Sequence, residues 1–484
     1  MDQEDKNTLN AFIQNQINNI PITLNDELSY KNKPFNHRTD FHIMKEHVDD
    51  FLNGDNINRY FVLPGLRGVG KTTLLYQTYE YLLKEKEIPP NHILYFSCET
   101  LIKVTKCDIF ETINHFLKEF HQSNLRTLNR EIFLLIDETH FDKNWSLTGK
   151  IICDESKKIF MIFTGSSAIS LEYHSDAARR MLRYQISPLS YSQHLNLKFE
   201  YNAGNIEQAL SNLIFNGEID EAKKLEHQIG MDLLNIIGYE STDWDNYFKY
   251  GGFPAVMNDD NYRISLKKLL YSIDSVIEKD LKTLHNINQN SENYAYRMLK
   301  FLAQKVPGEI SQNTLANLIK SSPSTVNTIL ELLEKTHLIF HYEPYSSPNA
   351  RVKKSWQYYF ATPSLRHAIN KNWGFSPMNQ NEYEGILLKN LIASILFNLK
   401  HNENHFDFDV FFDSKKGGVD FLVKKGFENP IPIEVGHGDK SKRQVINAIN
   451  RYDSDYGIII SNTTSNIEKK DNIIYVPYKT FSLM

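Results

Sequence analysis

The chain has 484 residues, 41% of them hydrophobic and 23% charged, a composition that excludes a disordered or fibrous protein and has room for about three domains. Its net charge of -5 excludes the basic field of a nucleic-acid coat protein, so any DNA contact has to be local. The apolar runs are shorter than the roughly 20 residues that span a bilayer, the acidic start MDQEDKNTLN is unlike a signal peptide, and the three cysteines are scattered. A reduced, cytoplasmic protein with no membrane contact is expected.

In chain order, residues 1–45 are an N-terminal extension. From 46 to 189, the apolar runs RYFVLP, HILYFSC, EIFLLIDE and KIFMIFTG alternate with helical patterns, which predicts a parallel sheet wrapped by helices. Strands apolar along their whole length suit a sheet covered on both faces. Residues 190–290 carry apolar positions at 3.6 spacing, interrupted by YGGFP, and predict a helical lid or linker. Residues 291–370 predict three short helices followed by aromatic strands. Residues 371–484 predict one helix and then short strands separated by Gly, Asn and Pro, a separate α/β domain.

The stretch GLRGVGKT has the spacing of a phosphate loop, and it follows a predicted strand and opens a predicted helix. Gly68 and Gly70 let the backbone curl so that its N–H groups converge on a phosphate at a helix N-terminus. Lys71 then neutralises the β- and γ-phosphates, and Thr72 is a ligand for Mg²⁺. Gly65, Arg67, Gly68, Val69, Gly70, Lys71, Thr72 and Thr73 are the nucleotide-binding candidates. In EIFLLIDE, Asp137 is a second Mg²⁺ candidate and Glu138 the base that activates water. Thr164, Ser166 and Ser167 end the next strand, either sensing the γ-phosphate or capping a helix. In SDAARRMLRY, Arg179, Arg180 or Arg183 is an arginine-finger candidate, set against an ordinary surface salt bridge.

The motifs GLRGVGKTT, LLIDE, FTGSSA, ARRMLRYQISPLS and YGGFP, in this order, resemble a large group of AAA-like ATPases found in archaea and bacteria. That group is similar to the signal-transducing ATPases with numerous domains, and its members typically carry a winged helix and a restriction-endonuclease-like domain. The resemblance runs from about Phe51 to the end of the chain. It implies ATP and Mg²⁺ as ligands; the first 45 residues are left unassigned, DELSYKNKPFNHRTDFHIMKEHVDDFL reading as a lead into the ATPase that covers its adenine pocket.

Two further segments fit that expectation. The stretch ISQNTLANLIKSSPSTVNTILELLEK reads as two helices, from Gln312 and from Ser324, packed through Leu315, Leu318, Ile319, Val326, Ile329 and Leu333. Two strands then form a wing with Arg351, Lys353 and Lys354 at its tip, where phosphates are within reach. The second helix begins without Arg or Lys and offers only Asn327 for reading bases, so packing competes with DNA reading. Farther on, GGVDFLVKKGFENPIPIEVG delivers Asp420 and Glu434 from neighbouring strands, the carboxylate pair of a PD-(D/E)xK nuclease, with Glu384 as a third carboxylate. The lysine of that motif is replaced by Gly436, which leaves Lys440 or Lys442 as substitutes, Gln444 as a phosphate or water ligand, and His437 as a metal ligand or base.

The expected fold is therefore α/β: a P-loop NTPase parallel sheet with a helical lid, a winged-helix domain and a C-terminal restriction-endonuclease-like domain. The expected function is an ATP-hydrolysing switch acting on DNA, with a homo-oligomer or a protein partner, set against a regulatory scaffold whose nuclease-like domain is inactive.

Overall fold

The structure, a computed structural model, describes residues 3–166, 177–259, 261–281, 289–347, 351, 355–372, 379–401, 408–436 and 438–484. Ser167, Lys353, Lys354 and His437, and the side chain of Lys440, lie outside the described residues. The chain divides into two compact units, Met1–Ser187 and Pro188–Met484.

In the first unit the apolar runs become β1 (Tyr60–Pro64), β2 (Ile93–Ser97), β3 (Ile132–Asp137) and β4 (Ile159–Gly165), joined by a short β5 (Leu182–Arg183). All pairs are parallel, in the order β2-β3-β4-β1-β5. Every residue of β1, β3 and β4 is buried, as a sheet covered on both faces requires. The helices are α1 (Gln3–Glu27), α2 (Thr39–Leu52), α3 (Lys71–Glu80), α4 (Cys98–Thr105), α5 (Ile109–His121) and α6 (Trp145–Glu155). Asp108 and Glu111 form a reciprocal capping box that starts α5. The N-terminal extension is part of this core: α1 sends Leu9, Phe12, Ile13 and Ile17 against Leu94, Phe96 and Ile113.

The second unit begins with α7 (Tyr191–Phe199), α8 (Ile206–Asn216), α9 (Asp220–Asn235), α10 (Asp243–Tyr250), α11 (Pro254–Met257) and α12 (Tyr262–Ser275). Next come α13 (Gln289–Gln304), α14 (Gln312–Ile319) and α15 (Pro323–Lys335), then the hairpin β6 (Ile339–Pro344) and β7 (Gln357–Phe360) and helix α16 (Pro363–Asn372). Ser311 and Ser322 cap α14 and α15 by accepting from the backbone N–H three residues on. Of the apolar residues expected between these two helices, Leu318 is instead 53% exposed, while Leu315, Ile319, Val326, Ile329 and Leu333 are buried.

The chain then forms α17 (Gln380–His401), β8 (Phe408–Phe412), β9 (Phe421–Lys425), β10 (Ile431–Val435), α18 (Gly438–Tyr452), β11 (Gly457–Ser461), β12 (Glu468–Lys470), β13 (Ile473–Pro477) and α19 (Tyr478–Phe481). One mixed sheet runs β12-β13-β11-β10-β9-β8-β6-β7. The β6–β7 hairpin thus extends the C-terminal sheet, with β6 parallel to β8 through Phe411 and Glu343.

Helices α7 to α10 pack in the same core as this sheet. The Trp244 indole donates to Ser482 Oγ (3.1 Å), the Tyr456 hydroxyl donates to the Ile214 carbonyl (2.6 Å), and Glu226 accepts from the Ile467 N–H (2.7 Å). Among the described residues no helix is long and apolar enough to cross a membrane.

Candidate active site

The carboxyl ends of β1, β3 and β4 open where a parallel α/β sheet takes its ligand. The loop leaving β1 needs glycine at two kinds of position. Gly68 and Gly70 have φ of +85° and +98°, conformations that side chains resist. At Gly65 the Ile186 carbonyl oxygen would lie 2.6 Å from an added Cβ. Gly70 is the N-cap of α3, so the first N–H groups of that helix face the loop. Lys71, 5% exposed, folds back and donates to the Gly65 (2.9 Å) and Leu66 (3.1 Å) carbonyls, two acceptors that phosphate oxygens can replace. Arg67, Val69 and Thr73 belong to the same loop and the first turn of α3.

Asp137, at the end of β3, accepts from the Thr72 hydroxyl (2.6 Å) and from the Thr164 hydroxyl at the end of β4. The structure therefore brings together three expected site residues from three elements. Burial raises the Asp137 pKa and the neighbouring Glu138 adds to this, while the two threonine hydroxyls and Lys71 oppose it.

Glu138 is left-handed, with φ of +54°, and its N–H donates to Asp137 Oδ1 (3.0 Å). Glu138 Oε2 lies 3.3 Å from His140 Nδ1, and among the described residues neither atom has a hydrogen-bond partner. Burial, with Arg67 and Lys71 close by, pushes the His140 pKa down to about 3, so the ring is neutral at pH 7. Ser166 Oγ is buried and, among the described residues, also without a partner. Arg179 is exposed, Arg183 lies on the exposed β5, and Arg180 pairs with Asp154 at 2.9 Å.

Arg38, in the extension, escaped the reading of the sequence. Buried beside Asp40, it donates to that carboxylate (2.6 Å), to the Val69 carbonyl inside the phosphate loop (2.5 Å) and to the Ser187 carbonyl (3.1 Å). One guanidinium thus ties the loop to the start of α2 and to the chain beyond β5. The sequence signal was an Arg-x-Asp pair at the start of a helix.

In the second unit Asp420 and Glu434 stand opposite each other on the antiparallel β9–β10 pair, as their register with Phe421 and Ile433 dictates. The Asp420 N–H donates to Glu434 Oε2 (3.1 Å), and the Val435 N–H donates to Asp420 Oδ2 (2.9 Å). Glu384 does not join them; it pairs with Lys249 at 3.2 Å. Gln444 donates to the Gly418 carbonyl (2.7 Å), and Lys442 is exposed.

The cation at this pair comes from α17, where the Lys389 ammonium lies 2.6 Å from Asp420 Oδ1. Burial opposes its charge, yet Asp420 and Glu434 help hold its pKa above the ordinary value. A single charged residue in the mostly apolar run ILLKNLIASIL was the available signal. Among the described residues no group of three or more His, Cys, Asp or Glu is placed to hold a metal ion. Asn327 is engaged with Gln312 and Glu331, at 2.5 Å each.

The parallel sheet, the glycine loop and the Thr72–Asp137–Thr164 cluster make a P-loop-type site, and residues 58–195 match the family model of an AAA domain. Residues 241–375 match a domain of unknown function (DUF8612). The chain is 30% identical to the uncharacterized protein MJ1637 of Methanocaldococcus jannaschii over 476 residues, 98% of this chain and 94% of that protein, and it belongs to that protein's family. The uncharacterized protein MJ1544 of the same organism is 25% identical over 372 residues, 76% of this chain and 72% of that one.

Among solved structures, the Aeropyrum pernix ORC1 protein in complex with DNA shares 12% identity, covering 76% of this chain and 97% of that chain, at a TM-score of 0.31. The Thermotoga maritima RuvB Holliday junction branch migration motor shares 16% over 65% of this chain and 94% of its own, at 0.28. Likenesses this slight carry no argument about function.

Proposed function

We propose that this protein binds and hydrolyses ATP in the first unit and uses the nucleotide state to control nucleic-acid work by the second. The observation that carries the reading is the Asp137 carboxylate held between the Thr72 and Thr164 hydroxyls beside a lysine-bearing glycine loop. The loop N–H groups and Lys71 bind the β- and γ-phosphates, Lys71 exchanging its two carbonyl partners for phosphate oxygens. Thr72 and Asp137 are the residues that would hold Mg²⁺, whose charge offsets that of the phosphate oxygens. Glu138, beside the neutral His140 ring, accepts the proton of the attacking water as it adds to the γ-phosphorus, and phosphate leaves with ADP as the other product. Arg179, exposed, is the better finger candidate from a neighbouring copy, because Arg180 is engaged with Asp154.

The test is ATP binding and turnover by Glu138→Gln. It is expected to keep ATP bound while losing turnover; turnover at the wild-type rate would remove Glu138 from the mechanism.

For the second unit we propose a nuclease-like site at Asp420 and Glu434 in which Lys389 supplies the ammonium missing at Gly436, a reading favoured by the 2.6 Å Lys389–Asp420 contact. The alternative is a regulatory scaffold in which Lys389 has taken over the charge balance of a metal. Cleavage of plasmid DNA with Mn²⁺ and ATP separates them: loss of cleavage in both Glu434→Ala and Lys389→Met supports the nuclease, and absence of cleavage by the wild type supports the scaffold.

A further inference from the structure

An open cavity of about 820 Å³ lies in the second unit, lined among the described residues by four cationic side chains, Arg351, Lys400, Lys415 and Lys424, and by one acid, Asp409, which pairs with Lys400. In a chain of net charge -5 this concentration of positive charge has to be local. The four come from separate places: beyond β6, the end of α17, the loop after β8, and β9. The fold therefore gathers cations that lie far apart in the sequence. Neither Asp420 nor Glu434 lines the cavity.

Two features go beyond charge. Aromatic rings form part of the wall: Tyr345 meets Phe411 and Tyr452 edge to face, and the Arg351 guanidinium lies 4.7 Å from the Phe411 ring centroid. Phe427, the chain neighbour of the lining residue Gly426, is fully exposed. An aromatic ring left in water costs free energy, and beside lysines it offers a stacking face for a base.

We infer that this cavity binds single-stranded nucleic acid, its lysines and arginine following the phosphates and Phe427 stacking on a base. A hollow of this volume has room for a nucleotide or two of a flexible strand but not for a duplex, which is roughly 20 Å across. The cavity lies outside the nucleotide site, so its failure would leave the ATPase reading standing, and the reverse also holds.

The test uses the full chain without nucleotide and a fluorescein-labelled oligothymidylate of about 20 nucleotides, followed by anisotropy across a salt series. The wild type is expected to bind with a negative salt slope. Lys415→Gln with Lys424→Gln should weaken binding about tenfold and make the slope shallower by about 1.4, twice the roughly 0.7 per phosphate contact of a single strand. Phe427→Ala should weaken binding about fivefold or more while leaving the slope unchanged. Lys415 and Phe427 are exposed and Lys424 is half-buried, so unchanged melting temperatures will show that the fold is intact. No binding by the wild type, wild-type affinity in both variants, or equal affinity for a duplex of the same length would overturn the inference.

Discussion

Replacing Arg38 by Met keeps most of the stem's bulk but removes every polar contact of the guanidinium. Asp40, itself buried, then loses its 2.6 Å partner. Breaking a buried ion pair by removing one partner costs about 3–5 kcal/mol. The position of Asp40 in the first turn of α2 returns about 0.3–1 kcal/mol through the helix dipole. The Val69 and Ser187 carbonyls lose their donor as well, at about 1–3 kcal/mol for each that stays dry. A local loss of about 4 kcal/mol is therefore expected, close to three decades in the opening equilibrium of the phosphate loop. Amide hydrogen exchange in the whole chain reads it directly: protection of the peptide from Gly65 to Glu80 should fall by that factor, while β10 and β11 keep theirs. Arg38→Met with Asp40→Leu should recover about half, since no charge is left stranded. A loss below about 1 kcal/mol, or a double variant no better than the single one, would refute the latch.

Acid should destabilise the second unit through its buried histidines. Burial lowers the pKa of His194 to about 4 and of His367 to about 3, with Lys198 adding to the first effect and Asp243 opposing it. Both values lie below the ordinary 6.5, so the unfolded chain takes up protons first. The stability is complete above pH 6.5 and is lost as pH falls toward the folded values, by about 3 kcal/mol for His194. In melting curves His194→Phe should flatten the decline between pH 6.5 and 4; an unchanged decline would clear that ring. Arg366, 1% exposed, donates to the Leu302 (2.8 Å) and Ala303 (3.2 Å) carbonyls at the end of α13 and to that of Lys305. Arg366→Met should lower amide protection in α13 by about 3 kcal/mol, and equal protection would show that water replaces the guanidinium.

The parts of the fold legible beforehand are those with local signatures. Unbroken apolar runs marked β1 to β4, and loop spacing marked Lys71 and Thr72. Side-chain alternation across a short turn set Asp420 opposite Glu434, because a hairpin register needs only the residues between its strands. What stayed hidden depends on distant backbone. Arg38 meets carbonyls 31 and 149 residues away, and carbonyls carry no residue identity. The pairing of β6 with β8 joins segments that composition separates. Lys389 carries no local signature of its role, which follows only from its 2.6 Å contact with Asp420 on the sheet.

The central claim concerns the glycine loop, and its most direct test is ATP turnover by the full chain with Mg²⁺, compared between the wild type and Lys71→Ala. The account predicts measurable turnover in the wild type and its loss in the variant, with hydrogen-exchange protection of β1, β3 and β4 unchanged. Turnover persisting in Lys71→Ala would contradict the assignment of the site.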